Sequence, residues 1–166
     1  GGKTVRLGGI AKGSGMTHPN MATMLVFLTT DAAVPRTMLQ KALSGDIENT
    51  FNMMSVDGDT STNDMVLLLA NGMAGNEEIT CDNDDFRTFM CALNTVNVAL
   101  CRMLAGDGEG ATKLLDCVVT GADGTENAKK AAKAVVCSSL VKAAMFGADA
   151  NWGRVLCAMG YGGAEF

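Results

Sequence analysis

The sequence predicts a layered α/β domain, and three observations carry that expectation. Two short runs of β-branched and large apolar residues, 4–10 and 24–30, lie between glycines or turn formers. Apolar residues recur at three- and four-residue intervals from Phe86 to Met103, the signature of one buried helix face. Strand-like and helix-like segments then alternate along the chain, with no Pro/Ser-rich or charge-blocked linker and no internal repeat. A length of 166 residues suits one domain with a real core. The separations between segments do not demand uniform βαβ units or a doubly wound sheet.

In chain order, residues 4–10 and 24–30 are expected as strands flanking a loop over 11–22. Pro35 is placed in the first turn of a helix carrying Met38, Leu39, Ala42 and Leu43, with Gly45 weakening its continuation. Asp82 or Asp84 is the expected N-cap of the long helix, whose inner face includes Phe86, Phe89, Met90, Leu93, Val96, Leu100 and Met103. Residues 113–119 read as a strand, 125–146 as one Ala-rich helix closed by Gly147, and 155–159 as a short buried strand.

Composition excludes several functions. A net charge of −5 and no clustered Lys or Arg argue against an electrostatic grip on nucleic acid. The longest wholly apolar run, 65–70, is far too short to span a bilayer, so no membrane role is expected and a cytoplasmic or organelle-interior location is the default. The six cysteines form no C-x-x-C pair and His18 is the sole histidine, which leaves a zinc site without support and suggests mostly buried thiols in a reducing compartment. Cys81, Cys91 and Cys101 are spaced by ten, but that interval turns a helix by about 1000°, leaving successive side chains roughly 80° apart rather than in a stripe.

Familiar motifs fail on inspection. Gly2-Lys3-Thr4 matches only the tail of a phosphate-binding loop and follows no strand. Asp57 and Asp59 open like a calcium loop, yet Thr62 and Leu68 stand where glycine and glutamate are required. Gly106, Gly108 and Gly110 follow a helix and lack the dinucleotide spacing.

The run KGSGMTHPNMATML at 12–25 is different, because glycines, a proline and the small Ala22 lead directly to Thr23 at the mouth of a strand. A threonine hydroxyl becomes a nucleophile when a base activates it, and its own α-amine can serve once the preceding peptide bond is cut. That amine, with an ordinary pKa of about 7.7–8.0, suits general-base work at neutral pH. The competing reading is that Thr23 is simply a β-former at a strand start. His18, Lys12 and Glu109 have equally ordinary readings as loop residues making local hydrogen bonds or facing solvent.

Four ordered blocks change that balance: KGSGMTHPNMATML at 12–25, DGDTSTND at 57–64, AGDGEGATK at 105–113 and SSLVKAAMFGADANWGRV at 138–155. On them the chain resembles the ornithine acetyltransferases. The resemblance implies a fold of two β-sheets layered between helices, incomplete here at both ends. It implies autocleavage between Ala22 and Thr23, so that 1–22 would end an α segment and 23–166 begin a β segment. It implies acetyl transfer from N-acetylornithine to glutamate through an acetyl-Thr23 intermediate, in arginine biosynthesis. Lys12 and Glu109 match substrate-contacting positions beside Thr23. The family's oxyanion-hole Thr-Gly pair and a C-terminal Asn and hydroxyl residue are expected outside this stretch, which reads as an internal fragment.

No cofactor is implied, although some family members accept acetyl-CoA as donor. An α/β heterodimer paired into a heterotetramer is the implied assembly, with the mitochondrial matrix as the location in a eukaryote. Two alternatives are a related self-processing amide hydrolase or aminopeptidase, and a catalytically inactive fragment. Ser139 and Ala150 stand where the family usually has proline, and Met65 where threonine is common.

Overall fold

The computed structural model describes residues 2–16, 24–59 and 62–165. In order, the chain forms β1 (Leu7–Lys12), β2 (Leu25–Thr30), α1 (Arg36–Ile47), a short 3-10 turn (Phe51–Met53), β3 (Met65–Ala70), α2 (Asp84–Gly106), α3 (Thr125–Cys137), α4 (Ser139–Phe146) and α5 (Trp152–Tyr161). The three strands make one sheet in the order β1-β2-β3. β1 and β2 are antiparallel, pairing Leu7 with Thr30 and Lys12 with Leu25. β2 and β3 are parallel, pairing Leu25 with Met65 and Thr30 with Ala70, and α1 lies in the crossover between them.

Alternation in β2 sends Val26, Leu28 and Thr30 inward, where Leu68 of β3 joins them against α1 and α2. The long helix supplies Phe86, Phe89, Leu93, Leu100 and Leu104 to the same core. Its length and hydropathy would also pass for a membrane span, but these residues pack against the sheet. Gly9 permits the approach: a Cβ there would lie 2.5 Å from Leu28 Cδ2, 3.1 Å from Leu100 Cδ1 and 3.2 Å from the Phe27 carbonyl oxygen.

A buried carboxylate ties the two helices of this layer together. Asp46 of α1 accepts from Asn97 Nδ2 at 2.7 Å and from Asn94 Nδ2 at 2.8 Å, both on α2. Thr50 Oγ1 caps the end of α1 by donating to the Asp46 carbonyl at 2.8 Å. α3, α4 and α5 form a second cluster around Val135, Val141 and Ala158.

Several sequence expectations need correction. The first strand begins later than expected and takes in Ala11 and Lys12, because the antiparallel register with β2 runs to Leu25. The apolar run 65–70 is the third strand, recognisable only once β2 is present to pair with it. Asn83, rather than either aspartate, caps α2 by accepting from the Phe86 amide. α1 continues through Gly45 to Ile47, and Pro35 is its N-cap. The expected helix over 125–146 is two helices broken at Ser138, whose extended backbone ends α3 and whose hydroxyl accepts from the Val141 amide. Ser139 is then the first residue of α4, a position that would also suit proline.

Residues 155–159 lie inside α5, not in a strand. A short apolar run is ambiguous between the two. Asn151 decides it by accepting from the Arg154 amide as an N-cap, and Val155, Ala158 and Met159 then face the α3–α4 cluster at helical spacing. Residues 113–119 keep the alternation of a strand, with Leu115, Cys117 and Val119 less exposed than their neighbours, but have no ladder partner among the described residues. Lys113 instead donates to the Met145 and Phe146 carbonyls at the end of α4.

The α/β layering holds, with the second β layer not formed within the described residues. The outer face of the sheet is nevertheless apolar and exposed, carrying Ile10, Phe27, Met65, Leu67 and Leu69, the kind of surface a packed sheet covers. Only Cys101 of the six cysteines is buried, so the expectation of mostly buried thiols fails: Cys81, Cys91 and Cys157 are exposed.

Two outcomes follow for full-length protein. Gly9→Ala should cost about 1–3 kcal/mol by overpacking Leu28 and Leu100, read from urea unfolding, whereas Thr37→Ala on the exposed side of α1 should stay within about 0.5 kcal/mol. Burial, with the Asp46 charge adding to it, pushes the Cys101 thiol up to about 12. Thiol-reagent labelling followed by peptide mapping at pH 8 should therefore leave Cys101 unmodified in native protein and modify it once the protein is denatured.

Candidate functional site

A cleft of about 960 Å³ opens where β1 ends. Gly9, Ile10, Ala11 and Lys12 form one wall, the 13–16 turn its rim, and Leu100, Met103 and Leu104 of α2 its floor. Asp57, Asp107 and Glu109 add carboxylates, so among the described residues one cation and three anions line the same space.

Lys12 is the last residue of β1, exposed, and paired in register with Leu25. The register therefore sets Lys12 beside the start of β2, two residues beyond Thr23. Glu109 arrives from the other side, in the turn that follows the C-terminus of α2. A Cβ on Gly15 would lie 3.2 Å from Glu109 Oε1, so the absence of a side chain at Gly15 is what lets that carboxylate close on the loop. Lys12 and Glu109, distant in sequence, are thus brought to one cleft. Thr23, Ala22 and His18 lie outside the described residues.

Beyond Thr23 the described chain begins at Met24. The Met24 side chain is buried in the core, its carbonyl accepts from the Met65 amide at 2.9 Å, and its own amide donates to Asp64 Oδ1 at 2.7 Å. Burial raises the Asp64 carboxyl above the ordinary aspartate value, and the Met24 amide partly opposes that shift.

Sequence reasoning assigned no role to the residues that hold the rim. Met16 sits at φ 56°, a left-handed conformation costing a non-glycine residue roughly 1–2 kcal/mol. Its amide is pinned by a 2.6 Å bond to Asp57 Oδ2, while Asp57 Oδ1 accepts from the Asp59 amide at 3.0 Å. The segment that delivers Asp57 is gripped from α4, where Lys142 Nζ donates to the Val56 carbonyl at 2.6 Å, and from α3, where Lys133 donates to the Asn52 carbonyl. Burial holds both lysines below the ordinary ammonium value. Gly108 seats the other side, since a Cβ there would lie 2.8 Å from Val56 Cγ1. Asp57 and Lys142 fall inside the quoted DGDTSTND and SSLVKAAMF runs, so their neighbourhoods were visible but their purpose was not.

The arrangement suits a small zwitterionic ligand: a cation at one wall can meet a carboxylate, and carboxylates opposite can meet ammonium groups. Replacing Asp57 with Ala should release Met16 and cost about 1 kcal/mol. Adding Met16→Gly should recover part of that loss, because glycine occupies the left-handed region without the Cβ clash. Urea midpoints of the single and double variants of full-length protein measure the difference.

The comparisons with known proteins cover most or all of the chain. The ArgJ family model matches residues 1–166. The arginine biosynthesis bifunctional protein ArgJ of Symbiobacterium thermophilum is 59% identical over 166 residues, covering 100% of this chain and 41% of that protein. The corresponding ArgJ 1 of Clostridium acetobutylicum is 57% identical over 163 residues, 98% of this chain and 40% of that protein. A crystal structure of the arginine biosynthesis bifunctional protein argJ from Bacillus halodurans superimposes with a TM-score of 0.80 at 50% identity, covering 85% of this chain and 65% of that one. The chain thus spans about two fifths of the length of the curated relatives it matches.

Proposed function

The chain belongs to the ArgJ family, and we propose that it is part of an ornithine acetyltransferase that cuts itself between Ala22 and Thr23 and then uses the freed threonine as its nucleophile. The observation that carries this reading is the meeting of Lys12 and Glu109 in one cleft at the start of β2. Two charged residues matched to substrate-contacting positions by motif alone need not have faced the same space.

In the proposed cycle the Thr23 hydroxyl attacks the acetyl carbonyl of N-acetylornithine while the α-amine of the same residue takes the hydroxyl proton. Ornithine leaves with that proton, and the acetyl group remains on Thr23 as an ester. Glutamate then enters the same cleft, its amine attacks the ester carbonyl, the bond from the acetyl carbon to the Thr23 oxygen breaks, and the proton lost by the amine returns through the α-amine to the Thr23 hydroxyl. Both substrates carry a carboxylate and an ammonium group, so Lys12 would hold the carboxylate end and Glu109 an ammonium end. No cofactor has a part in these steps, although acetyl-CoA could serve as an alternative acetyl donor. The proposed location is the cytoplasm, and the proposed assembly is an α/β heterodimer paired into a heterotetramer.

Denaturing mass spectrometry of the full-length protein should show two pieces divided between Ala22 and Thr23, and one intact chain for Thr23→Ala. An intact wild-type chain would sink the reading. With processed enzyme, initial rates should fit a ping-pong pattern. Acetate release from N-acetylornithine at the same rate with and without glutamate would point instead to a hydrolase. Lys12→Glu should raise the Michaelis constant for both substrates by about tenfold or more, since an attractive charge-assisted contact becomes repulsive.

A further inference from the structure

Asp107 is a charged residue of the cleft to which the proposed cycle gives no part. It lines the same space as Lys12 and Glu109 and stands at the C-cap of α2, where its amide donates to the Met103 carbonyl at 3.0 Å. Its side chain is exposed and makes no hydrogen bond or ion pair among the described residues. The place is electrostatically poor for a carboxylate. A helix C-terminus carries partial negative charge and favours cations, yet α2 has no basic residue in its last turn, and Glu109 follows two residues later. Nothing among the described residues offsets that repulsion, whereas a cationic ligand in the cleft would.

The charges of the cleft differ in what they can still bind. Asp57 has one oxygen engaged by the Met16 amide and the other by the Asp59 amide. Lys12, Asp107 and Glu109 have no such partners among the described residues. The substrates of the proposed cycle differ at one end only. Both carry an α-carboxylate and an α-nitrogen, but the side chain of N-acetylornithine ends in an ammonium and that of glutamate in a second carboxylate. The side-chain end therefore changes sign between the two half-reactions, and a fixed carboxylate near it helps one substrate and opposes the other.

We infer that Asp107 is a specificity-determining residue that accepts from the side-chain ammonium of the ornithine skeleton, with Lys12 left to the α-carboxylate and Glu109 to the α-nitrogen. The inference rests on the reading of this cleft as the acetyl-transfer site. Asp107 stays ionised throughout, and no bond forms to it or breaks. Its charge and the carbonyl end of α2 act together on the ammonium. The same charge repels the second carboxylate of glutamate, so what selects the donor weakens the acceptor.

The test uses full-length protein. Asp107→Asn removes the charge at nearly constant shape, and in a ping-pong scheme kcat/KM for each substrate reports its own half-reaction. For N-acetylornithine that value should fall about tenfold or more, as a charge-assisted contact is lost. For glutamate it should hold or rise. The urea midpoint should also hold or rise, because a like charge leaves the helix end. A merely structural Asp107 would instead lower the midpoint and weaken both substrates alike. A fall by the same factor for both substrates overturns the inference, as does a value for N-acetylornithine within a factor of two of wild type. Wild-type protein that transfers no acetyl group from N-acetylornithine to glutamate would overturn the proposed function instead, which separates the two failures.

Discussion

The contact between α2 and the β1–β2 ribbon is the constraint from which the rest of the structure follows. It exists because Gly9 has no side chain: the space a Cβ would need is taken by Leu28 and Leu100. With the helix lying that close, its inner face fills the core under the sheet, and its C-terminus comes out at the end of β1. The turn after Gly106 then has one place to go, beside the 13–16 loop, and Glu109 closes on Gly15 there. A packing contact in the core thereby sets the distance between the two walls of the cleft.

Around that contact, buried and half-buried polar groups hold loops that carry no regular structure of their own. Asp46 joins α1 to α2 through two asparagine amides. Lys133 and Lys142 reach from the second helical cluster to backbone carbonyls at Asn52 and Val56, and Asp57 carries the restraint on to Met16. The helices α3 and α4 thus act on the cleft without contributing a wall to it. Desolvation of the two lysines is the cost of that grip, and the carbonyls they reach offset it.

What the sequence showed most clearly were features with a local physical cause. The α2 face was legible from Phe86 to Leu100 because helical periodicity is written into consecutive residues, but Met103, expected on that face, is exposed and Leu104 is buried in its stead. β2 was legible because one face is buried and the other is not. β3 was not read as a strand, since Met65–Ala70 is apolar throughout and its identity depends on pairing with β2. The break at Ser138 and the helical fate of 155–159 were hidden for a related reason: caps by Ser138 and Asn151 are side-chain geometries, and many serines and asparagines cap nothing. At the site, Lys12 and Glu109 were found through motif resemblance, whereas Asp57, Asp64 and Lys142 act through hydrogen bonds to main-chain atoms distant in sequence.

By itself, then, the amino-acid sequence determined the family, the α/β class, the long core helix and the charged residues that could serve a small zwitterionic substrate, because those follow from composition, periodicity and ordered motifs. Only the tertiary structure decided that Lys12 and Glu109 share a cleft, that Met16 is held in a left-handed conformation by Asp57, and that Asp64 accepts from the Met24 amide. The physical reason is that each of these is a relation between segments joined by packing and hydrogen bonding rather than by the chain. A residue's type states what it can donate or accept, and the fold alone states what stands within reach.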